Sequence, residues 1–305
     1  MRAAVLQHAG QPVTIEEVSL DRPKTGEVLV RILASGVCHS DLHVRDGEWP
    51  RPGPFVIGHE GAGIVEALGP GVDPSATGLS VGRLVALSWY APCGHCRACR
   101  VGHEWLCSDS GASRHRLSDG STRAHRGDGS EVYPYCGIGT LAEATVVPAT
   151  AAIPMPQGTP PEVAALIGCC VSTGVGAVVK TARVEAGASV VVIGLGGVGL
   201  SIVMGAVLAA AATIVVVDRV AAKLEIARSL GATATVLADS QPGETDARIR
   251  ALTDGGPEYV FEAIGLTSTI EQAVRILPPG GTAVLVGMTP FGARAGFEVF
   301  PFVDG

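Results

Sequence analysis

The chain has 305 residues, of which 47% are hydrophobic and 17% are charged, and its formal net charge is −7. This length suits two domains with a large buried core, and the low charged fraction indicates that much surface is buried within the fold or against another subunit. Outside residues 114–126 the basic residues are scattered, which argues against a nucleic-acid partner. We expect a homo-oligomeric enzyme, a dimer or tetramer.

The first half of the chain reads as short strands separated by turns. Apolar residues alternate over 28–32, and similar apolar runs bounded by Gly and Pro occur at 61–68 and 83–87. Residues 107–133 are polar and rich in Gly, Ser and Arg, which predicts a long solvated surface loop. After Thr159 two prolines and an acidic residue predict the start of a helix. The sequence therefore predicts an irregular β domain that ends near residue 157.

The second half alternates short β-branched runs with helical stretches, which forces parallel strands joined by helical crossovers. We predict a doubly wound α/β sheet over 158–305. Its strands are expected at 190–193, 214–217, 235–237, 259–262 and 283–286, and its helices at 198–210, 221–230, 243–253 and 268–277.

An uncharged run from residue 186 to residue 217 raises the alternative of a membrane span. Six glycines interrupt that run and β-branched clusters stand at both of its ends, so two strands flanking a helix explain it better. The chain does not open with the charged and apolar regions of a secretion signal, and its cysteine spacing suits metal better than disulfides. We expect a cytoplasmic protein without a membrane partner.

Four cysteines within fifteen residues are the most informative feature of the chain. They are Cys93, Cys96, Cys99 and Cys107. Thiolates brought together by short loops can surround one Zn²⁺ tetrahedrally, in a closed site without room for substrate. This spacing predicts a structural zinc.

A glycine-rich turn after a predicted strand indicates a dinucleotide site. Its residues are Gly194, Gly196, Gly197, Val198 and Gly199, and a helix follows, so the turn and the helix N-terminus suit a pyrophosphate. Asp218 ends the next strand, where a carboxylate can accept hydrogen bonds from the adenine ribose and repel a 2′-phosphate. Arg219 follows Asp218 directly and weakens the preference for a ribose without a 2′-phosphate, because a nearby arginine can accommodate that phosphate. We predict NAD as the cofactor rather than NADP.

Two further cysteines and one histidine resemble the ligands of an open zinc site, although spacing alone does not unite them. Cys38, His59 and Cys169 form a Cys₂His set of the kind that leaves a fourth position for substrate. Each of them alone is more often a buried structural residue.

Several motifs in order unite these residues by resemblance. The sequence resembles the zinc-dependent alcohol dehydrogenases of the medium-chain dehydrogenase/reductase superfamily over nearly its whole length. The motifs are GHEGAGIV from Gly58, the four-cysteine run, and LIGC before Ser172, Thr173 and Gly174. The resemblance implies a GroES-like catalytic domain at 1–157, with the zinc lobe at about 90–110, before a Rossmann domain at 158–305.

The resemblance assigns a role to each matching residue. Cys38, His59 and Cys169 would bind the catalytic zinc, giving two zincs per chain with the structural site. Ser40 would take the alcohol proton and His43 would form the outer end of the proton relay. The remaining roles are Asp41 orienting His59, Glu60 as a nearby or transient ligand, Trp89 as a wall of the substrate pocket, and His39, Thr173 and Lys223 as contacts to the nucleotide.

The expected reaction is hydride transfer between a primary or aromatic alcohol or aldehyde held by the zinc and the nicotinamide of NAD. Two alternatives stay open. Arg114, Arg116, Arg123 and Arg126 in the polar stretch would suit an anionic adduct of formaldehyde and a thiol. A zinc- and nucleotide-binding protein without turnover is the second alternative, because family members continue several dozen residues beyond the strand at 283–286. We expect this chain to be truncated at its C-terminus, with an exposed sheet edge.

Overall fold

The computed structural model describes residues 1–110, 115–238 and 243–300. The chain divides into two compact units, Met1–Cys169 and Cys170–Gly305. The first unit contains the stretch expected to be irregular β structure, and the second contains the stretch with alternating strands and helices.

Short strands dominate the first unit. In its described residues the strands are β1 Arg2–Leu6, β2 Thr14–Glu17, β3 Ser19–Leu20, β4 Glu27–Gly36, β5 Phe55–Val56, β6 Glu60–Leu68, β7 Leu84–Leu87, β8 Ala124–His125, β9 Glu131–Pro134, β10 Ala144–Pro148 and β11 Ala152–Pro154. They form two sheets, with the orders β2-β1-β5-β9-β8-β3 and β10-β4-β6-β7-β11. Neighbours run antiparallel, except that β5 pairs with β9 in parallel.

The second of these sheets carries the main core of the first unit. Strand β4 turns Val28 and Val30 inward, and strand β7 adds Val85 and Leu87, all of which are fully buried. Apolar residues at every second position of a strand point to one face, so this alternation fixes which face packs inward. The predicted alternation over 28–32 is therefore confirmed.

Up to residue 160 the helices of the first unit are short. In the described residues they are α1 His39–Arg45, α2 Pro74–Thr77 and α3 Arg97–Arg100, with 3₁₀ turns at Glu104–Leu106, Tyr135–Gly137 and Ala149–Ala151. Helix α1 follows directly on strand β4, and its N-terminal backbone is capped by the side chain of Asp41, which accepts a hydrogen bond from the backbone N–H of Cys38. This cap fixes the point where the strand ends and the helix begins.

The stretch from residue 107 to residue 133 is not the solvated loop that its composition predicts. Among its described residues it contains β8 and the start of β9, and several of its side chains are buried. Arg123 is 2% exposed and pairs with Glu27 at 2.6 Å. A polar composition was misleading because a buried ion pair, formed by residues 96 positions apart, lets charged side chains enter the fold.

A long apolar helix, α4, spans Pro161–Ala182 and alternates between α and π turns. By length and composition alone it could cross a membrane, with a mean hydropathy of 1.9. Its first turns pack on β4, β6 and β7, and four of its residues, Ala164, Ala165, Cys169 and Cys170, are buried in the fold. Packing inside the protein thus accounts for part of its apolar character.

The second unit is a doubly wound parallel sheet, as predicted. In its described residues the strands are β12 Ser189–Ile193, β13 Thr213–Asp218, β14 Ala234–Leu237, β15 Tyr259–Glu262 and β16 Thr282–Leu285, and the helices are α5 Gly197–Leu208, α6 Ala221–Ser229, α7 Glu244–Leu252 and α8 Thr267–Arg275. The strand order is β14-β13-β12-β15-β16. The chain order reverses between β12 and β15, and such switch points are where this sheet type binds ligands.

Strand β16 forms one edge of this sheet in the described residues. Leu285 is 48% exposed there, and Met288 and Phe291, which follow the strand, are 60% and 84% exposed. Apolar surface therefore stands beside this edge.

Candidate metal centres and dinucleotide site

The first unit brings together two sulfurs and an imidazole from three separate segments. Donor atoms of Cys38, His59 and Cys169 all lie within 4.8 Å of one another. Cys38 ends the segment after β4, His59 precedes β6, and Cys169 lies in α4. The helix can approach closely because Gly168 lacks a side chain, and a Cβ there would stand 2.0 Å from the carbonyl oxygen of Leu87. The fold, rather than the sequence spacing, assembles this cluster.

Asp41 holds two members of the cluster in place. Its Oδ2 accepts a hydrogen bond from the backbone N–H of Cys38 at 3.0 Å, and its Oδ1 lies 3.0 Å from Nδ1 of His59. Both side chains of the Asp41–His59 pair are almost fully buried. Because a carboxylate can only accept, Nδ1 of His59 carries the proton and Nε2 is left as the ring atom that can bind a metal.

The three donors of the cluster influence one another's protonation. A hydrogen bond from Cys169 keeps the pKa of Cys38 well below that of a free thiol, and the same contact raises the pKa of Cys169. Burial lowers the pKa of His59, but hydrogen bonds to Asp41 and Cys38 outweigh it and raise that pKa to about 10. Without metal, the cluster therefore holds protons that a divalent cation would displace.

These three donors fit a zinc ion with one open position. Thiolates bound to one tetrahedral Zn²⁺ stand about 3.8 Å apart, which agrees with donor atoms that all lie within 4.8 Å. Glu60 is buried next to this cluster, and its carboxyl contributes to the raised pKa of Cys169. Two thiolates, one imidazole and a nearby carboxyl form the donor set of a catalytic rather than a structural zinc.

The two predicted relay residues, Ser40 and His43, lie on α1, as does His39, the predicted nucleotide contact. Ser40 Oγ lies 3.7 Å from Cys38 Sγ, and the His43 side chain is 7% exposed. The ring of His39, an exposed residue, meets the His43 ring edge-on at 4.7 Å between centroids. Ser40 is therefore adjacent to a cluster ligand, and His39 and His43 contact each other.

The four-cysteine lobe forms a second, local cluster. All four Sγ atoms lie within 4.8 Å of one another, with 3.5 Å between Cys96 and Cys99 and 4.0 Å between Cys93 and Cys99. The backbone N–H groups of Cys93 and Cys96 point at Sγ of Cys107 and Cys93, both at 3.3 Å. The backbone N–H of Cys99 lowers the pKa of Cys96 to about 6. Four thiols with such amide donors fit one closed tetrahedral zinc.

The glycine-rich turn of the second unit has the geometry that a pyrophosphate needs. Gly194 follows β12 at φ +94°, and a Cβ on Gly199 would stand 1.8 Å from the carbonyl oxygen of Gly194. Gly196 and Gly197 are exposed at the start of α5, while Val198 is half-buried. Backbone N–H groups at this twelve-residue helix terminus are therefore open to an anion.

Asp218 stands beside this turn at the end of β13. Its Oδ2 accepts from the backbone N–H of Leu195 at 2.8 Å, and its Oδ1 accepts from that of Val220 at 2.9 Å. Lys223 Nζ lies 3.9 Å from Oδ2, and Arg219 is exposed. The carboxylate thus braces the turn and still has lone pairs for a ribose hydroxyl. Thr173 lies half-buried in α4 and belongs to the same unit.

Family models match both halves of the chain. The model described as the alcohol dehydrogenase GroES-like domain matches residues 24–157, and the model described as zinc-binding dehydrogenase matches residues 197–304. The NDMA-dependent alcohol dehydrogenase of Amycolatopsis methanolica is 39% identical over 94% of this chain and 76% of that protein. The chain belongs to the zinc-dependent alcohol dehydrogenase family. The expected GroES-like and Rossmann fold classes are confirmed.

Other members of the family extend the similarity. An S-(hydroxymethyl)glutathione dehydrogenase of a Synechocystis strain is 37% identical over the whole of this chain and 82% of that protein. The crystal structure of benzyl alcohol dehydrogenase from Acinetobacter calcoaceticus has a TM-score of 0.86, with 32% identity over 99% of this chain and 81% of that one. A zinc-binding dehydrogenase from Sinorhizobium meliloti, bound to NADP, has a TM-score of 0.81, 29% identity and coverage of 99% and 81%.

Aromatic side chains that line the three-donor cluster were only partly foreseen. Trp89 is half-buried and meets the His59 ring edge-on at 6.5 Å. Tyr135 meets the same ring at 5.6 Å, and its hydroxyl donates to the backbone carbonyl of Ser40 at 3.5 Å. Nothing in the sequence around Tyr135 marked it, because this residue begins the 3₁₀ turn after β9 and meets His59 only in the packed fold. In this alcohol dehydrogenase family member at least two aromatic rings therefore lie beside His59, one of the three candidate metal ligands.

Most of the arginines expected near an anionic substrate already have partners. Arg123 pairs with Glu27 and Asp119, Arg126 Nε lies 2.7 Å from Glu16, and the Arg116 guanidinium lies over the Tyr133 ring. Arg114 lies outside the described residues. The three described arginines stabilise the fold of this stretch and are not a free cationic surface.

Proposed function

We propose that this chain is a zinc- and NAD-dependent dehydrogenase of primary or aromatic alcohols. As a member of the zinc alcohol dehydrogenase family it is an oxidoreductase of small alcohols and aldehydes that uses zinc and a nicotinamide cofactor. The observation that carries the finer proposal is the three-donor cluster of Cys38, His59 and Cys169, because a set of three leaves one position for substrate.

In this proposal each residue of the first unit has a defined task. Cys38, His59 and Cys169 would hold the zinc, which would supply a Lewis acid to the alcohol. Asp41 fixes the tautomer of His59 and prevents the ring from rotating. Ser40 accepts the proton of the alcohol, and His43 carries that proton towards solvent.

In the second unit the glycine turn and Asp218 would hold the dinucleotide, whose nicotinamide would supply the hydride acceptor. Asp218 supports NAD because a second negative charge on the ribose would be repelled by a carboxylate whose oxygens already brace the turn. Thr173 and Lys223 are proposed as further nucleotide contacts, as is His39 in the first unit. We further propose two zincs per chain, a homo-oligomer and a cytoplasmic location.

A formaldehyde–thiol adduct is the second candidate substrate. The 37% identity to an S-(hydroxymethyl)glutathione dehydrogenase favours it. The paired state of Arg116, Arg123 and Arg126 speaks against it, since an anionic adduct needs free cations. Similarity to a benzyl alcohol dehydrogenase and the aromatic rings beside His59 favour an uncharged aromatic alcohol instead.

One assay series tests the proposal. The full chain is incubated with aliphatic alcohols, benzyl alcohol or S-(hydroxymethyl)glutathione, with NAD or NADP, before and after zinc chelation. We expect benzyl alcohol and NAD to give the largest rise in reduced-nicotinamide absorbance, and chelation to abolish it. Turnover only with the glutathione adduct would select the second candidate. Tight NAD binding and two zincs per chain without turnover would contradict both. Parallel assays with NDMA would show whether the requirement in its relative's name extends to this chain.

A further inference from the structure

His43 contacts a carboxylate that the sequence analysis did not single out. Nδ1 of His43 is hydrogen-bonded to Oε2 of Glu48, five residues further along the chain. The His43 side chain is 7% exposed, whereas the Glu48 side chain is 43% exposed. The pair therefore joins a buried imidazole to a carboxylate that reaches solvent.

The backbone after α1 places Glu48 beside His43. The helix ends at Arg45, the N–H of Gly47 donates to the carbonyl of Val44, and the chain turns back on the helix. The backbone N–H of Trp49 then donates to the carbonyl of His43 at 3.1 Å, and the Trp49 ring stacks on the imidazole at 4.5 Å and 21°. The backbone hydrogen bond and the ring stacking of Trp49 thus fix the position of the neighbouring Glu48. They also fix the plane of the His43 ring, which Glu48 contacts.

The other charged groups around this ring are engaged elsewhere. Asp46 interacts electrostatically with His39 and His43, but both of its oxygens bind Arg45, at 2.6 and 2.9 Å. His39 meets the ring edge-on. Glu48 is the carboxylate that accepts a hydrogen bond from the ring itself.

A buried imidazole cannot exchange protons with water by itself as readily as an exposed one. A relay through His43 requires one ring nitrogen to take a proton while the other gives one up. The nitrogen that gives it up is Nδ1, because its partner is an acceptor-only carboxylate. The proton then leaves from Glu48, whose side chain reaches water.

We propose that Glu48 is the positioning residue of His43 and the exit of the proton path to solvent. This inference rests on the proposed alcohol dehydrogenase function. The O–H bond of the alcohol breaks, and its proton would pass from Ser40 by way of the nucleotide ribose to Nε2 of His43. Nδ1 of His43 then gives its proton to Glu48, and Glu48 returns it to water. The electron pair leaves separately with the hydride. Ser40 and Glu48 end in the state in which they began, whereas His43 ends with its proton on Nε2 and has to return to the Nδ1 tautomer before the next turnover.

The test compares Glu48→Gln with Glu48→Asp and with a matched control. Gln keeps the size and the hydrogen-bond acceptor but cannot carry a proton. We expect kcat to fall roughly tenfold with KM unchanged. The solvent deuterium isotope effect on kcat should rise, and small buffer acids should restore part of the rate. Glu48→Asp should retain more activity than Glu48→Gln.

Glu66→Gln is the control, because Glu66 is 42% exposed, lies in the same unit and pairs with surface Arg31. It should match the wild type. If Glu48→Gln behaves like Glu66→Gln while the wild type turns over, the role of Glu48 is overturned and the proposed function stands. If the wild type does not oxidise any alcohol, the proposed function fails and this inference fails with it.

A second measurement does not depend on turnover. The ¹⁵N chemical shifts of the His43 ring report which nitrogen carries the proton. In the wild type we expect the proton on Nδ1, and in Glu48→Leu we expect it on Nε2, the form that prevails when no acceptor faces Nδ1. Identical ring shifts in both proteins would show that Glu48 does not position His43, and would overturn the proposal.

Discussion

The two metal clusters of the first unit are built in opposite ways. The four cysteines of the lobe lie within fifteen residues, and short turns with backbone amide donors bring their sulfurs together. Cys38, His59 and Cys169 come from a loop, a strand approach and a helix, and only the packed fold brings them within 4.8 Å. The local sequence is therefore enough to bring the four cysteines of the lobe together, whereas the open site forms only when distant segments pack.

Because the two sites are built differently, we expect loss of the metal to have different effects on the structure around each of them. In the lobe the four sulfurs contact one another and backbone amides in a segment with many exposed side chains. Loss of the zinc that we propose there should therefore also unfold this segment. Around the open site, β4, β6, β7 and α4 pack through their own apolar residues. We therefore expect the open site of Cys38, His59 and Cys169 to lose its metal without unfolding of the surrounding structure.

Replacing Cys38 by Ser is the strongest test of this contrast. The hydroxyl is a poor zinc ligand, so the open site should lose its metal and kcat/KM should fall at least about 10³-fold. The melting temperature should change little, because Cys38 contributes a ligand and not core packing. Steady-state assays, zinc content and a thermal melt check the three quantities.

Replacing Cys99 by Ser should give the converse result. Loss of one of four sulfurs releases the structural zinc, and the lobe should unfold locally, which lowers the melting temperature by roughly 10 °C. Cys38→Ser is its matched control, since both variants change one ligand sulfur to oxygen. If Cys99→Ser lost turnover at an unchanged melting temperature, and Cys38→Ser unfolded, the two metal assignments would have to be exchanged.

The same contrast explains what the sequence could and could not predict. Local patterns predicted the four-cysteine lobe, the glycine turn, and the five strands and four helices described from Ser189 to Leu285, because each depends on neighbours in the chain. The site residues Tyr135 and Glu48 had no such pattern. Tyr135 reaches His59 through sheet packing, and Glu48 reaches His43 through a turn that follows a helix end.

The prediction for residues 107–133 was wrong for a related reason. Its composition predicts a solvated loop, but composition does not show whether a charge will find a partner. Arg123 finds Glu27, and His115 finds a backbone N–H of Cys136 and the ring of Tyr135. Pairings at such separations are set by the topology of the sheets, which a single sequence does not display.

Asp41→Asn sharpens the comparison within the open site. Asn can still accept the hydrogen bond from Cys38 but lacks the charge that holds His59 in its ligating form. We expect zinc affinity at the open site to fall 10- to 100-fold, with the lobe zinc unaffected, as measured by competition with a chelator. Asp21→Asn is the control, since Asp21 forms a carboxylate–histidine pair with His125 at the surface. Loss of the lobe zinc in Asp41→Asn would contradict the separation of the two sites.

His115 offers the smallest test, because it links the stretch after the lobe to the surroundings of the open site. Its ring stacks on Tyr135 at 5.0 Å and accepts a hydrogen bond from the backbone N–H of Cys136 at Nδ1. Burial, with a contribution from Arg51, lowers the pKa of His115 to about 4. The folded protein therefore holds this ring neutral at a pH where the unfolded chain, with a pKa near 6.5, is already protonated.

Between those two values the unfolded chain binds one more proton, so the free energy of unfolding should decrease as pH falls from about 6.5 to 4. The contribution of this ring to that decrease is at most about 3 kcal/mol. His115→Phe keeps an aromatic ring against Tyr135 but cannot titrate, so its stability should fall less steeply over this range in urea unfolding at several pH values. His8→Gln, which removes an exposed imidazole, should keep the wild-type slope. If the free energy of unfolding depended equally on pH in all three proteins, acid would destabilise this chain without protonating His115. His115 would then connect the stretch after the lobe with the surroundings of the open site through packing alone.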